Sequence, residues 1–420
     1  MTRADPTSAP PGLALRAYRL AARAIPLLAP VLLRRRLTRG KELPDRWREK
    51  LGEPSLPRPE GPLVWLHAVG LGEVLALRGL IGAMAAQSDA EFLVTSTTAG
   101  SARVLAANLP PRTRHQFLPL DAPAYLRRFL DHWRPSLSIW AEQDLWPGAV
   151  VATAERGIPL ALVNARMNAD AYARRRRWQG LYADLFARFS LVTAQDATTA
   201  GHLQALGAVD ARVTGSLKAA VPPLAADARS LAEARAALVG VRPALLASSH
   251  AEDEAFVLSA FRAAKTRPLL IIAPRDPGRG ADIASRSAEH GLKATRRSLG
   301  EGPGADIWIV DTLGEMGLWY RLCPTTLIGG TFGPTEGHNP WEAAALGSAI
   351  LHGPRVANFA SDFATLHEGG AAQLVSESGL LDCLLADNSA MAGRAKVVSD
   401  AAQGSLAPLA AELLALVRQT

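Results

Sequence analysis

Cysteine is nearly missing from this 420-residue chain; Cys323 and Cys383 are the only two. So few thiols exclude a disulfide framework and fit a reducing compartment. The nine histidines show neither an HExxH pattern nor paired Cys-x-x-Cys spacing, so no metal site is legible and metal-free chemistry is the default expectation. The apolar stretch at the N-terminus, Ala24 to Leu33, has ten residues. As a helix it covers about 15 Å, roughly half of a bilayer core, and Pro26 and Pro30 further disfavour a clean span. A cleaved signal peptide fits poorly, because Arg34 to Arg36 follow the apolar run and no small-residue cleavage pattern is evident. An excess of one charge is also missing from most of the chain. The formal charge is +7, from 46 Lys and Arg against 39 Asp and Glu. Residues 1 to 60 hold 13 of the bases and 6 of the acids, which leaves 33 of each sign elsewhere. The bulk of the protein is therefore no polyanion binder by charge.

The basic excess is concentrated in LALRAYRLAARAIPLLAPVLLRRRLTRGK, from Leu13 to Lys41. Arginines at 16, 19, 23 and 34 to 36 flank an apolar face, the pattern of a helix lying in a cytoplasmic membrane surface. An amphipathic helix packed on the domain carries the same pattern. A nucleic-acid arm fits less well, since leucine and proline dominate the middle.

Beyond this segment the chain alternates strand and helix. Short apolar runs at 63–69, 91–97, 116–120, 136–141, 159–164 and 191–194 are each followed by a helical stretch. A proline-marked linker, KAAVPPLA, runs from Lys218 to Ala225, and a second series begins at 243–248, 269–273, 306–310, 325–328 and 349–351. Such βα units predict parallel sheets. No internal repeat stands out. The expected layout is a basic amphipathic segment over 1–40, an N-terminal Rossmann-like domain over 41–220 and a C-terminal one over 225–420.

Two glycine-bearing turns carry chemistry. In LVWLHAVGLGEV, Leu63 to Val74, a strand enters a Gly-x-Gly turn and places Glu73 at a helix start. A helix N-terminus favours the ionised carboxylate, as a general base requires. A structural helix-start acid gives the same pattern. In GGTFGPTEGHNPWEAAALG, Gly329 to Gly347, a β-rich run enters a glycine-rich turn and then a helix, the arrangement in which free backbone N–H groups hold phosphate. Asn339, Pro340 and Glu342 also scan as N-cap, first-turn proline and third-position acid of a capping box. Thr312 and Glu315 scan as another such box.

These turns belong to a longer ordered set: HAVGLGEV (67–74), AEQDLWP (141–147), LVNARMN (162–168), GSLK (215–218), SSHAEDE (248–254), PRDPGR (274–279), DTLGEM (311–316) and GHNPWEAA (337–344). In this order they resemble the 3-deoxy-D-manno-octulosonic acid (Kdo) transferases of lipopolysaccharide synthesis, and the resemblance covers nearly the whole length. It implies an α/β fold of two facing Rossmann-like domains, the GT-B glycosyltransferase architecture, with the N-terminal amphipathic segment on the membrane. In such folds the last helix often crosses back to the first domain, and Leu406 to Val417 is the candidate here.

The resemblance further implies an inverting, metal-independent transfer of Kdo from CMP-Kdo to a lipid A precursor at the cytoplasmic face of the bacterial inner membrane. CMP-Kdo is the donor substrate, and no cofactor, metal or nucleic acid is implied. Glu73 is the expected base. Glu142, Asp144 and Arg166 are expected on the acceptor side, where Glu142 and Asp144 either orient groups or cap the helix that Pro147 helps to start. Arg174 to Arg177 suit a phosphorylated acceptor, or form a solvated basic face. Expected on the donor side are Lys218, Ser249, His250, Pro274, Arg275, Gly314, Glu315, Met316, His338, Asn339 and Glu342. Arg275 suits phosphate or the Kdo carboxylate, since its guanidinium matches planar anions. The chain departs from the family at Gly70 (usually Ser), Asp144 (Glu), Gly148 (Asn) and Asp276 (His), which touches donor or acceptor choice. A diverged glycosyltransferase using another nucleotide sugar, a non-catalytic membrane-bound paralogue and a sugar-nucleotide epimerase are the competing readings. The retained Glu73 counts against the paralogue, and the basic N-terminus against the epimerase.

Overall fold

A computed structural model describes residues 11–69, 71–106, 109–142, 144–220, 223–304 and 306–417; the side chains of residues 71–75, 104 and 106 lie outside that description. The chain forms two compact units, one reaching to Ala220 and resuming at Gly404, the other running from Val221 to Gln403.

The first unit is built on seven parallel strands: β1 (Leu63–His67), β2 (Glu91–Ser96), β3 (Thr113–Phe117), β4 (Leu137–Ala141), β5 (Leu160–Ala165), β6 (Leu191–Ala194) and β7 (Ala211–Val213). Their spatial order is β3-β2-β1-β4-β5-β6-β7. Strand β1 shows why the apolar runs are unbroken. Leu63 and Trp65 join one core with Phe129, Trp133 and Trp140, while Val64 and Leu66 join another with Leu77, Leu80, Leu409 and Leu413. Both faces are covered by helices, so both parities of the strand are apolar.

Two helices precede this sheet, α1 (Leu13–Ala22) and α2 (Ile25–Thr38), where the sequence pattern predicts a single helical segment. α1 is packed on the unit. Leu15 is fully buried in the core, Tyr18 Oη donates to Asp121 at 2.6 Å, and Arg19 pairs with Glu155 at 2.6 Å. α2 buries Ala29 and Leu33 but exposes Leu27, Leu28, Val31 and Leu32. Strand β1 is followed by α3 (Leu71–Ala85), and the helix Leu406–Ala415 packs against α3. No helix among the described residues is long and apolar enough to cross a membrane.

The second unit repeats the plan with β8 (Ala244–Ser249), β9 (Leu270–Pro274), β10 (Ala294–Arg296), β11 (Ile307–Ile309), β12 (Thr325–Ile328), β13 (Ala349–His352) and β14 (Ala372–Leu374), ordered β10-β11-β9-β8-β12-β13-β14 and again all parallel. The three strands that sequence patterning misses, β7, β10 and β14, are each three residues long and lie at sheet edges. An edge strand needs little apolar surface, so its pattern is weak. The expected run 116–120 is also displaced, since β3 ends at Phe117 and Leu118 to Leu120 continue past the sheet.

The strand order reverses direction between β1 and β4 in the first unit and between β8 and β12 in the second, where β11 is also set between β9 and β10. Ligands of open α/β sheets bind beyond the carboxyl ends of the strands at such points. Three non-glycine residues with left-handed backbones stand at these ends: Glu142 after β4 (φ 60°), Asn164 in β5 (φ 55°) and Ser248 in β8 (φ 55°). Such backbones cost free energy and gather where a fold presents functional groups.

Candidate active site

In the second unit the switch point is assembled around one buried carboxylate, Asp253. It accepts hydrogen bonds from the N–H groups of His250 (2.8 Å), Gly330 (2.7 Å) and Phe332 (3.2 Å). The start of the helix Ala251–Ala263 is thereby pinned to the glycine-rich turn after β12. Burial raises the Asp253 pKa, and the three N–H groups offset that only in part. The turn requires glycine twice. At Gly329 a Cβ would stand 2.4 Å from the Ser248 carbonyl oxygen, and Gly330 has φ +71°.

His250 and His338 meet across this turn, Nε2 to Nε2 at 2.8 Å, so one ring donates and the other accepts. Burial, with the charges of His250 and Arg275, pushes His338 down to about 4. Burial likewise raises Glu342, against the opposing charge of Arg275 and a hydrogen bond from Asn339. Arg275 follows β9 and is exposed, and its backbone N–H donates to the Ser249 carbonyl (3.0 Å). Its cation thus acts on both His338 and Glu342. The Ser249 hydroxyl donates to Glu254 (2.9 Å), a fully buried acid paired with Arg279. Ser249, His250, Pro274, Arg275, His338, Asn339 and Glu342 therefore lie on the carboxyl-end segments of β8, β9 and β12 or just beyond them.

Several expected details are corrected here. The helix after the glycine-rich turn is Trp341–Ala345, one position later than expected; Pro340 occupies the cap position and Asn339 Oδ1 accepts from the Trp341 N–H at 3.1 Å. Five residues are too short for a strong terminal dipole. The second capping box does not form either. The helix there begins at Met316, and Glu315 is held by Arg297 through two 2.7 Å bonds and by the Thr312 hydroxyl. Burial would raise Glu315, and these bonds outweigh it, so its pKa is lowered. Gly314, with φ +82°, turns the chain before it.

In the first unit the residues expected on the acceptor side lie at and beyond the ends of β4 and β5. Register pairs His67 of β1 with Thr95 and with Trp140. The His67 ring is buried, with Nδ1 2.9 Å from Thr95 Oγ1 and Nε2 3.9 Å from Asp144 Oδ2. Burial would raise Asp144, yet contacts with His67 and Trp146 and the charges of His67 and Arg175 leave it lowered. Of the expected arginine run, Arg175 is the one whose charge reaches this carboxylate. Glu142 Oε1 lies 3.6 Å from Lys218 Nζ, and Asn164 Oδ1 accepts from the Leu217 N–H at 2.9 Å, tying the Gly215 to Lys218 segment to β5. Lys218, expected with the donor residues, thus belongs to the first unit beside Glu142. Arg166 directly follows β5. Glu73 is the third residue of α3; its side chain, like Gly70 as a whole, lies outside the described residues.

Neither Glu142 nor Asp144 caps the helix Pro147–Ala154. Asp121 does so, accepting from the Gly148 (2.8 Å) and Ala149 (2.7 Å) N–H groups. A Cβ at Gly148 would meet Asp121 Oδ1 at 2.7 Å, so glycine here lets the Asp121 carboxylate sit over the helix start. Asp276 accepts from the Gly278 N–H (2.9 Å) and shapes the turn after Arg275. Sequence reasoning passes over His67 and Asp253. The signal available for both is position, a polar residue at or just past a buried strand's carboxyl end. Among the described residues no cluster of His, Cys, Asp and Glu has the makings of a metal site.

The profile of a family described as 3-deoxy-D-manno-octulosonic-acid transferase (kdotransferase) matches residues 45–221. A probable mitochondrial 3-deoxy-D-manno-octulosonic acid transferase of Arabidopsis thaliana is 34% identical over 82% of this chain and 80% of its own. Among solved structures, a UDP-GlcNAc 2-epimerase from Neisseria meningitidis bound to UDP-GlcNAc shares the fold with a TM-score of 0.55 and 11% identity, over 84% of this chain and 100% of that one. MurG of Acinetobacter baumannii does so with a TM-score of 0.53 and 12% identity, over 84% and 100%. At such identities these two likenesses speak for the GT-B type of architecture alone.

Proposed function

The chain belongs to the 3-deoxy-D-manno-octulosonic acid transferase family, which makes it a glycosyltransferase, and from that premise we propose that it moves Kdo from CMP-Kdo to a lipid A precursor by an inverting, metal-independent displacement. The observation that carries this reading is the 34% identity to a Kdo transferase across 82% of the chain, which spans both units.

In the proposed reaction an acceptor hydroxyl attacks the anomeric carbon. The new C–O bond forms on the face opposite the departing CMP, whose phosphate takes the bonding electron pair, and Glu73 takes the hydroxyl proton. A single displacement inverts the anomeric centre. Glu73 suits the role by its place in the first turn of α3, where the helix dipole favours a carboxylate. The lowered pKa of Asp144 keeps a second negative charge at the same strand ends, suited to orienting an acceptor hydroxyl. On the donor side, Arg275 supplies a cation for phosphate or the Kdo carboxylate, beside the turn that Asp253 holds in place.

The acceptor is a lipid, and the proposed location is the cytoplasmic face of the inner membrane, reached through residues 13–36. What supports this is the run of exposed Leu13, Leu20, Leu27, Leu28, Val31 and Leu32 beside exposed Arg34 and Arg35.

The test is a mass-spectrometric assay of purified protein with CMP-Kdo and a lipid A precursor, run beside Glu73→Gln. A gain of one or more Kdo units that the variant loses supports reaction and base together. A gain retained by the variant removes Glu73 as base, and no gain by folded protein overturns the donor and acceptor assignment.

A further inference from the structure

An apolar cavity of about 420 Å³ opens between α2 and the carboxyl side of the first unit's sheet. Its walls include Leu28, Leu32 and Leu33 from α2, Leu118 and Leu120 just past β3, and Trp146. The volume falls in the range of roughly 300–1,000 Å³ typical of ligand pockets, which are mostly apolar with a few placed polar groups. Leu28 and Leu32 are 65% and 53% exposed although they line it, so the molecule carries an apolar hollow open to water. Covering such surface is favourable, and an uncovered patch of this kind marks a binding site.

Two further observations point to the occupant. The polar groups of the cavity include Arg36, Lys50 and Glu42. Glu42, 3% exposed, accepts from Arg36 and from Lys50, each at 2.6 Å. One carboxylate between two cations leaves a net positive charge at the apolar wall, so the charge complements an anionic amphiphile and opposes a neutral oil. The cavity also adjoins the acceptor-side residues. Trp146, in its wall, donates from Nε1 to Asp144 Oδ2 at 3.0 Å, and Asp144 is the carboxylate facing His67. A chain seated against Trp146 therefore has its head within reach of the strand ends that carry Glu142 and Asp144.

We propose that the cavity between α2 and the β3 end binds one acyl chain of the anionic lipid acceptor, selecting an acylated substrate over its sugar-phosphate core. This rests on the lipid-acceptor reading above. It assigns Leu28, Leu32 and Trp146 to specificity, with Arg36 and Lys50 favouring the lipid's negative charge.

The test compares, in detergent solution, transfer to the acylated lipid A precursor and to the same precursor stripped of its acyl chains, using full-length wild type and Leu32→Glu. A carboxylate at position 32 puts an unpaired charge at the cavity mouth and suits water better than hydrocarbon. The expected result is a KM for the acylated acceptor raised at least tenfold in Leu32→Glu, with the KM for the stripped acceptor within twofold of wild type. Wild type using both acceptors equally well overturns the proposal and leaves the transferase reading standing. An equal rise from Leu27→Glu, whose side chain does not line the cavity, also overturns it, because the whole apolar face would then be meeting lipid.

A second measurement stands apart from catalysis. A monoacyl phosphate carrying a diazirine on its chain is photolysed with the wild-type protein, and the labelled peptides are mapped. Label on residues 28–33, 118–120 or 146, lost in Leu32→Glu, supports the site even if no transfer is found. Label scattered over Leu13, Leu20 and Leu27, or none, overturns it.

Discussion

Lowering the pH from 7 to 5 is expected to weaken the second unit through His338. The ring is half-buried against His250, Nε2 to Nε2 at 2.8 Å, with the Arg275 cation nearby, and its folded-state pKa is pushed down to about 4 from 6.5. A histidine with a depressed folded pKa binds its proton less tightly when folded. Its contribution to stability is therefore fully present above pH 6.5 and is lost as the pH falls through 6.5 toward 4. At pH 5 the unfolded ring is almost fully charged and the folded ring almost fully neutral. The linkage then costs at most about 2 kcal/mol, and less to the extent that water screens the ring. Native-state hydrogen exchange of peptides from β8 and β12 at pH 7 and pH 5, corrected for intrinsic exchange rates, reads the local stability. His338→Gln keeps a polar partner for His250 and does not titrate. Wild type is expected to lose about 1–2 kcal/mol more than this variant between the two pH values. Equal losses in the two proteins, or a wild type that gains stability at pH 5, would refute the assignment.

Replacing Asp253 by alanine leaves three N–H groups without their acceptor and is expected to cost about 3–5 kcal/mol, seen as a lower urea midpoint for the second unit with the first unchanged. Tyr18→Phe removes the hydroxyl that donates to buried Asp121 and should cost about 1–3 kcal/mol, measured by urea unfolding of the first unit. Glu73→Gln is expected to reduce the transfer rate by about 10²–10⁴ with an unchanged circular dichroism spectrum. Arg34→Gln and Arg35→Gln together should weaken binding to vesicles containing anionic lipid by about 2 kcal/mol, roughly thirtyfold, at low salt, an effect that high salt erases. Point changes suit that test better than deleting residues 1 to 36, because Leu15 of α1 is part of the core and its loss would disturb the fold itself.

Of the fourteen strands among the described residues, ten are legible because a strand covered on both faces is apolar along most of its length, while β3, an edge strand reading Thr-Arg-His-Gln-Phe, is caught only at its last two residues. The GT-B type of architecture and the family follow from ordered motifs, whose glycines and charged residues stand at strand ends. The two capping patterns depart from expectation differently. Asn339 keeps a local bond to the Trp341 N–H while the helix starts one residue later, and Glu315 is drawn away by a distant partner, Arg297. Lys218 is legible as a cation near the strand ends, and only folding sets it 3.6 Å from Glu142.

The sequence by itself determined the alternation of strands and helices, the concentration of basic charge before residue 60, and the two glycine-bearing turns, because each is a local pattern. The tertiary structure alone decided that Asp253 ties a helix start to a turn 77 positions away, that Asp121 caps a helix close against Gly148, and that α2 and the β3 end enclose an apolar cavity. Each of these depends on atoms far apart in the chain meeting within a few ångströms, and only the packing of whole elements sets such distances.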